Sequence, residues 1–167
     1  MTQEAPGRQP SQVTHEFADI AEEFGKRVAR IVWCTMATVD AKGRPRTRII
    51  HPIWEGPTGY IGTGRTSFKA RHLAANPNVS FTYWDQLHEQ VYIEATAEWL
   101  DDPADKTRVW ELYKSTPPPL GYDPGLIWRE GPVAGDFGVL KLTPSRIELF
   151  SIAWLMQGKP PLIWRPA

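Results

Sequence analysis

The sequence predicts an α+β domain, with short antiparallel strands curled into a closed or half-open barrel and two or three helices packed outside it. Three observations carry this prediction. Apolar stretches of strand length recur between turns rich in Gly and Pro. One of them alternates strictly, so that Val91, Ile93, Ala95, Ala97 and Trp99 share a face. Other segments carry helical spacing or helix-start signals instead. With 167 residues, 41% hydrophobic and 23% charged, the chain suits one domain with a proper core.

Taken in order, residues 1–13 read as a disordered tail rich in Gln, Pro, Gly and Ser, which leaves 14–167 as a single domain. Thr14 is placed to cap a helix whose face is Phe17, Ile20, Ala21, Phe24, Val28 and Ile31, ending near Arg30. Strands are expected at 33–39 and 44–54, joined by a hairpin turn at Asp40-Ala41-Lys42-Gly43. A short strand follows at 60–63. Ser67 then opens a helix that Asn76-Pro77 stops. Further strands fall at 79–84 and 90–100. Asp102-Pro103 starts a helix running to about Ser115. A long Pro/Gly loop occupies 117–135, with a helical turn expected after Asp123; loops of this length usually serve function or pack on a partner. The last strands are expected at 137–142 and 146–150, before an apolar, Trp-rich tail. The total is about six to seven strands.

Composition excludes several classes. The formal net charge is zero, which argues against a nucleic-acid partner. No apolar run approaches the ~20 residues that span a bilayer, and residues 1–10 lack an apolar signal core, so neither membrane insertion nor export is expected. The single cysteine, Cys34, permits no internal disulfide and suits a reducing cytoplasm. It lies in an apolar strand and reads as core packing. His51, His72 and His88 lack metal-ligand spacing, and no metal site is expected. No nucleophile–His–acid arrangement has a local signature, and no catalytic residue is assigned. Trp54, Trp84, Trp154 and Trp164 are candidates either for a flat-ligand cleft or for core packing.

The stretch that carries chemistry is Arg46-Thr47-Arg48 followed by Gly62-Thr63-Gly64-Arg65-Thr66-Ser67-Phe68-Lys69. A bound phosphate dianion needs cations and directed donors. A helix N-terminus supplies N–H groups and a favourable dipole. Hydroxyls add short hydrogen bonds, and an arginine on a neighbouring strand grips two oxygens at once. By themselves these residues also suit a solvated turn with an ordinary helix cap.

Their order is what distinguishes them. Gly43-Arg44-Pro45, Arg48 before an apolar stretch, Thr63 followed by Ser67 and Lys69, then Leu73, Asn76-Pro77-Asn78-Val79-Ser80, and Trp84 to Gln90-Val91 form a series. The series resembles the pyridoxamine 5'-phosphate oxidase family of split β-barrel flavoproteins, over roughly residues 20–100. The resemblance implies an antiparallel split β-barrel with flanking helices. It implies FMN phosphate contacts from Arg48, Thr63, Ser67 and Lys69, with the backbone of Ile49, Ile50 and His51 beside the flavin ring. Gln90 matches a flavin-contacting glutamine, and a homodimer with the cofactor between subunits is implied. Family members that oxidise pyridoxamine phosphate carry a second lysine at the place of Ile53 and an arginine at that of Phe68. Arg46 or Arg65 is the available substitute. Those enzymes also end in an Arg- and His-containing segment that grips substrate, where this chain reads Gln157 to Arg165.

The expected function is therefore an FMN-dependent oxidoreductase acting on a small molecule. One alternative is a deazaflavin-dependent reductase, whose longer acidic cofactor would want a basic groove from Arg44, Arg46, Arg65 and Arg71. Another is a flavin- or haem-binding protein without turnover.

Overall fold

The computed structural model describes residues 10–167. Its elements in chain order are β1 (Gln12–Thr14), α1 (Ala18–Ile31), β2 (Cys34–Val39), β3 (Pro45–Ile50), β4 (Ile53–Glu55), β5 (Thr58–Gly64), α2 (Phe68–Ala75), β6 (Asn78–Trp84), β7 (Glu89–Leu100), α3 (Pro103–Ser115), β8 (Phe137–Ser151), α4 (Ile152–Met156) and β9 (Leu162–Trp164). One turn of 3-10 helix, Pro124–Leu126, follows Asp123, whose side chain accepts from Gly125 N–H. Among the described residues no helix is long and apolar enough to cross a membrane.

The strands form one sheet, and its order explains the site. Neighbours run β3-β2-β6-β7-β8-β5-β4, every pair antiparallel. The first and last of these are consecutive in the chain, separated only by His51 and Pro52. The sheet therefore curls until its ends meet. Its seam is bridged by covalent chain, because no ladder joins β3 to β4 among the described residues. β9 extends the sheet beside β8, and β1 lies parallel to β9.

Two cores hold this shape. One fills the barrel with Met36, Phe81, Tyr83, Val91, Ile93, Leu140 and Leu149, and α1 seals one end with Ile20, Phe24 and Val28. Full burial of such a side chain stabilises the fold by about 1.5–3 kcal/mol. Arg27 goes in with them, donating to the carbonyls of Gln90 at 2.9 Å and Phe150 at 2.5 Å. The second core lies under α3 and joins Ile53, Tyr60, Trp110, Tyr113, Trp128 and Phe137. Cys34 is buried in the first core, where burial pushes its thiol up to about 12 and disfavours the thiolate.

Several boundaries differ from the sequence reading, each for a physical reason. The chain enters the sheet as β1, so Gln12 and Val13 are strand and not the disordered tail expected over 1–13; residues 1–9 of that expectation lie outside the described residues. Thr14 sits in this strand, and Phe17 occupies the N-cap position of α1. Thr14 still serves the helix, because its hydroxyl bonds the Asp19 carboxylate in the first turn. The expected strand 44–54 is two strands. Pro52 offers no N–H to a ladder, and there the chain leaves β2 for β5. Conversely, the two strands expected at 137–142 and 146–150 are one. Pro144 is absorbed opposite Ala95, where the register shifts by a bulge. Among the described residues the sheet consequently holds nine strands, where six or seven were expected.

Candidate functional site

A cleft of about 430 Å³ opens along the barrel seam. One wall is the end of β3 and its exit, Arg48 to His51. The other is Ile61 to Thr63 on β5, with Lys69 from α2. The fold brings these together because β3 and β5 flank the same seam and α2 follows β5 after a three-residue turn.

One end of the cleft is cationic. Arg48 and Lys69 are close enough for the Arg48 charge to help hold the Lys69 ammonium below its ordinary value, and burial lowers both. Arg48 donates one long bond, 3.4 Å, to the Met36 carbonyl. Neither cation has a carboxylate partner among the described residues. Ser67 occupies the N-cap of α2 with extended backbone, yet its side chain makes no capping bond. Its hydroxyl is buried without a hydrogen-bond partner. Two unpaired cations, a buried unsatisfied hydroxyl and a helix N-terminus are the set an oxyanion would complete.

The other end is aromatic. The His51 ring lies 4.9 Å from Trp33 and 5.3 Å from Tyr122, centroid to centroid, and edge-on to Tyr113 at 6.0 Å. Trp128, Ile127 and Pro119 continue the wall. The Tyr113 hydroxyl is shared between the carbonyls of His51, 2.8 Å, and Tyr60, 3.0 Å, and so pins the seam. Burial lowers the His51 pKa from its ordinary value, with the Leu120 carbonyl opposing, and its Nε2 is buried without a partner. Burial pushes the Tyr122 phenol up to about 12. A Cβ at position 62 would stand 3.2 Å from the Phe137 ring, so Gly62 lets that ring pack close against β5.

Six of the residues singled out in sequence meet here: Arg48, Ile49, Ile50, His51, Thr63 and Lys69. Ser67 adjoins them at the head of α2. Arg46 does not line the cleft. It borders a neighbouring hollow with Arg44 and Phe68, and it pairs with Asp40 at 3.2 Å. Gln90 is also elsewhere, at the start of β7, where its side chain accepts from the Tyr92 hydroxyl. The arginines considered for a basic groove are engaged as well: Arg44 with Asp40, Arg65 with Asp101 and the Trp99 face, Arg71 over Phe68. Of the tryptophans considered for the cleft, Trp54 and Trp164 pack on the barrel core and Trp154 lies under Arg27. Trp33, Tyr122 and Trp128 line it instead. The only sequence signal for the last two was the length of the 117–135 loop.

The fold and the site together define a class: a split β-barrel with a cleft at its seam, cationic at one end through Arg48 and Lys69. The sequence profile of pyridoxamine 5'-phosphate oxidase matches residues 20–151, and the chain belongs to this family. It is 32% identical over 115 residues to the dihydrophenazinedicarboxylate synthase of Pseudomonas chlororaphis, covering 67% of this chain and 51% of that protein. It is 36% identical over 97 residues to the pyridoxine/pyridoxamine 5'-phosphate oxidase of Pseudomonas entomophila (strain L48), covering 57% and 45%. The chain thus spans about half the length of these relatives. Among solved structures, a Clostridium acetobutylicum protein related to general stress protein 26 superposes with a TM-score of 0.69 at 14% identity, over 88% of this chain and 94% of that one. A pyridoxamine 5'-phosphate oxidase-related, FMN-binding protein from Nostoc punctiforme superposes at 0.58 and 17% identity, over 86% and 84%. These likenesses establish the split-barrel fold.

Proposed function

We propose that the chain binds FMN in the seam cleft and acts as a flavin-dependent oxidoreductase on a small molecule. The observation that carries this reading is the cationic end: Arg48 and Lys69 without counter-charges beside the unsatisfied Ser67 hydroxyl. The bound flavin would supply the electron-transfer chemistry. Arg48, Thr63, Ser67 and Lys69 would hold its phosphate. Ile49, Ile50 and His51 would orient the ring along the end of β3. The aromatic loop wall would limit access of water.

A homodimer completes this proposal. Trp33, Ile49, Phe68 and Ile127 are each more than half exposed around the cleft, an apolar rim suited to a second copy. Gln90 lies outside its own chain's cleft, so a flavin contact from it would come from that second copy. FMN is preferred to a deazaflavin with a longer acidic tail because Arg44, Arg46 and Arg65 already have carboxylate partners.

The test is a calorimetric titration of the cofactor-free chain with FMN and with riboflavin, which lacks the phosphate. FMN should bind tighter by about tenfold or more, since charge-assisted contacts contribute about 1.5–3 kcal/mol each. Equal affinities would place the phosphate elsewhere. Uptake of a deazaflavin cofactor without uptake of FMN would favour the reductase alternative.

A further inference from the structure

We propose that the aromatic end of the cleft is a second subsite, built to take a planar, unphosphorylated ring compound that His51 and Tyr122 read by hydrogen bonds. This rests on the reading of the cationic end as the site of the cofactor phosphate.

The distribution of charge argues for it. Among the described residues Arg48 and Lys69 are the only cations lining the cleft, and a cofactor phosphate would engage both. Among the described residues of this chain no further cation lines the aromatic end. The place where a second lysine is expected is Ile53, which is 2% exposed and locked into the core under α3. Arg65 is held by Asp101 at 3.1 Å and lies over the Trp99 ring. Arg129 borders a separate hollow with Glu130 and Asp136. A phosphate ester entering beside His51 would lose its hydration against an apolar wall with no counter-charge, which is strongly unfavourable. A flat neutral ring would instead meet the indoles of Trp33 and Trp128 and gain their dispersion and burial.

Two polar handles would orient such a ring. His51 packs on Trp33, Tyr113 and Tyr122, but its Nε2 is buried and unpartnered among the described residues, a polar atom that a bound ring would satisfy. Burial keeps the imidazole neutral at pH 7, which leaves each ring nitrogen either a donor or an acceptor. Tyr122 keeps its proton throughout the physiological range and can donate. The two rings stand 5.3 Å apart at an angle of 35°, so both handles serve the same end of the cleft. A ring bearing hydroxyl or ring-nitrogen substituents meets both.

The experiment uses pyridoxine and pyridoxine 5'-phosphate, which share one ring and differ by the phosphate. Each is titrated into the FMN-loaded protein while the flavin absorption is followed. Pyridoxine should bind, and its phosphate ester should bind no tighter. His51→Leu and Tyr122→Phe should each weaken pyridoxine by about fivefold to tenfold, the scale of one lost hydrogen bond in a buried site. His51→Gln, which keeps a donor and an acceptor, should recover part of the loss. Arg46→Ala serves as the control and should leave the titration at wild type. The proposal is overturned if the phosphate ester binds tenfold tighter, if pyridoxine does not bind at millimolar concentration, or if both variants keep wild-type affinity. If the chain takes up no FMN, the same titrations are followed by tryptophan fluorescence, since Trp33 and Trp128 wall the subsite. The absence of FMN uptake would itself reject the flavin reading, and pyridoxine binding seen there would leave the subsite standing.

Discussion

Arg46 and Arg48 lie two residues apart on β3, and they have opposite circumstances. Arg46 shares the Asp40 carboxylate with Arg44 at the hairpin turn, with the two arginines at 3.2 and 2.9 Å. Those contacts and the backbone N–H groups of the turn hold Asp40 well below the usual carboxylate range. Arg48 points into the seam, partly buried, beside a second cation and with one weak bond to a carbonyl. The first cluster satisfies itself and needs nothing from outside. The second is electrostatically incomplete. Proximity along a strand therefore says little about circumstance: what separates the two arginines is whether the chain supplies a counter-charge, which Asp40 does for Arg46 and no described carboxylate does for Arg48.

The largest effect is expected from reversing the charge at the incomplete site. Arg48→Glu should reduce FMN affinity by more than about a hundredfold, because it removes a charge-assisted contact and sets a carboxylate beside the phosphate. Lys69→Ala should cost about tenfold or more. Titration of the cofactor-free variants checks both, and wild-type affinity in both would mean that no anion binds between these cations. A pH series sharpens the same point. The Lys69 ammonium is held below its ordinary value of about 10.4 when no anion is bound, and an anion would raise it. Its contribution to binding is therefore full below the unbound pKa and is lost as pH rises through the bound one. FMN affinity should fall on the alkaline side in wild type, and Lys69→Met should flatten that limb.

How much of this was legible in sequence follows the range of the interactions. α2 and α3 were readable because their signals are local: Ser67 with Asn76-Pro77 for one, Asp102 with Pro103 for the other, whose Oδ1 accepts from Ala104 N–H at 2.7 Å. β7 was readable from its alternation, which burial follows from Val91 to Ala97. The break at His51-Pro52 was not, because nothing local says that β3 and β4 pair with different neighbours. The fusion of β8 was hidden for the converse reason: a proline that normally ends a strand is tolerated at a bulge that its partner β7 provides. In the site, the residues that meet at the cationic end, Arg48, Thr63 and Lys69, could be singled out by type and order. The aromatic wall did not, since Trp33 and Trp128 become neighbours of His51 only when the barrel closes. The Asp40 pairing that removes Arg46 from the cleft depends on the geometry of the hairpin, which spacing alone does not give.

A smaller effect tests the buried hydroxyl. Ser67→Ala should weaken FMN by several-fold, the scale of about 1 kcal/mol for one hydrogen bond to the ligand. In the cofactor-free chain the same change should leave thermal stability equal or slightly raised, since it removes a buried polar group that bonds to nothing. A fall in cofactor-free stability with no change in FMN affinity would show that Ser67 is a structural cap after all.

The smallest expected effect lies on the satisfied side. Arg46→Ala should change FMN affinity by less than about twofold, as expected for an exposed, already paired charge. That result alone is weak, since many surface arginines would behave so. It gains force in the Asp40→Asn background. There Arg44 and Arg46 lose their shared carboxylate, and the hollow that Arg46 and Arg48 both border becomes more positive. FMN affinity should then rise modestly at low salt, and Arg46→Ala should abolish that rise. If Arg46 instead proves important in the wild-type background and indifferent once Asp40 is neutralised, the division drawn along β3 is wrong, and Asp40 is positioning Arg46 for the phosphate.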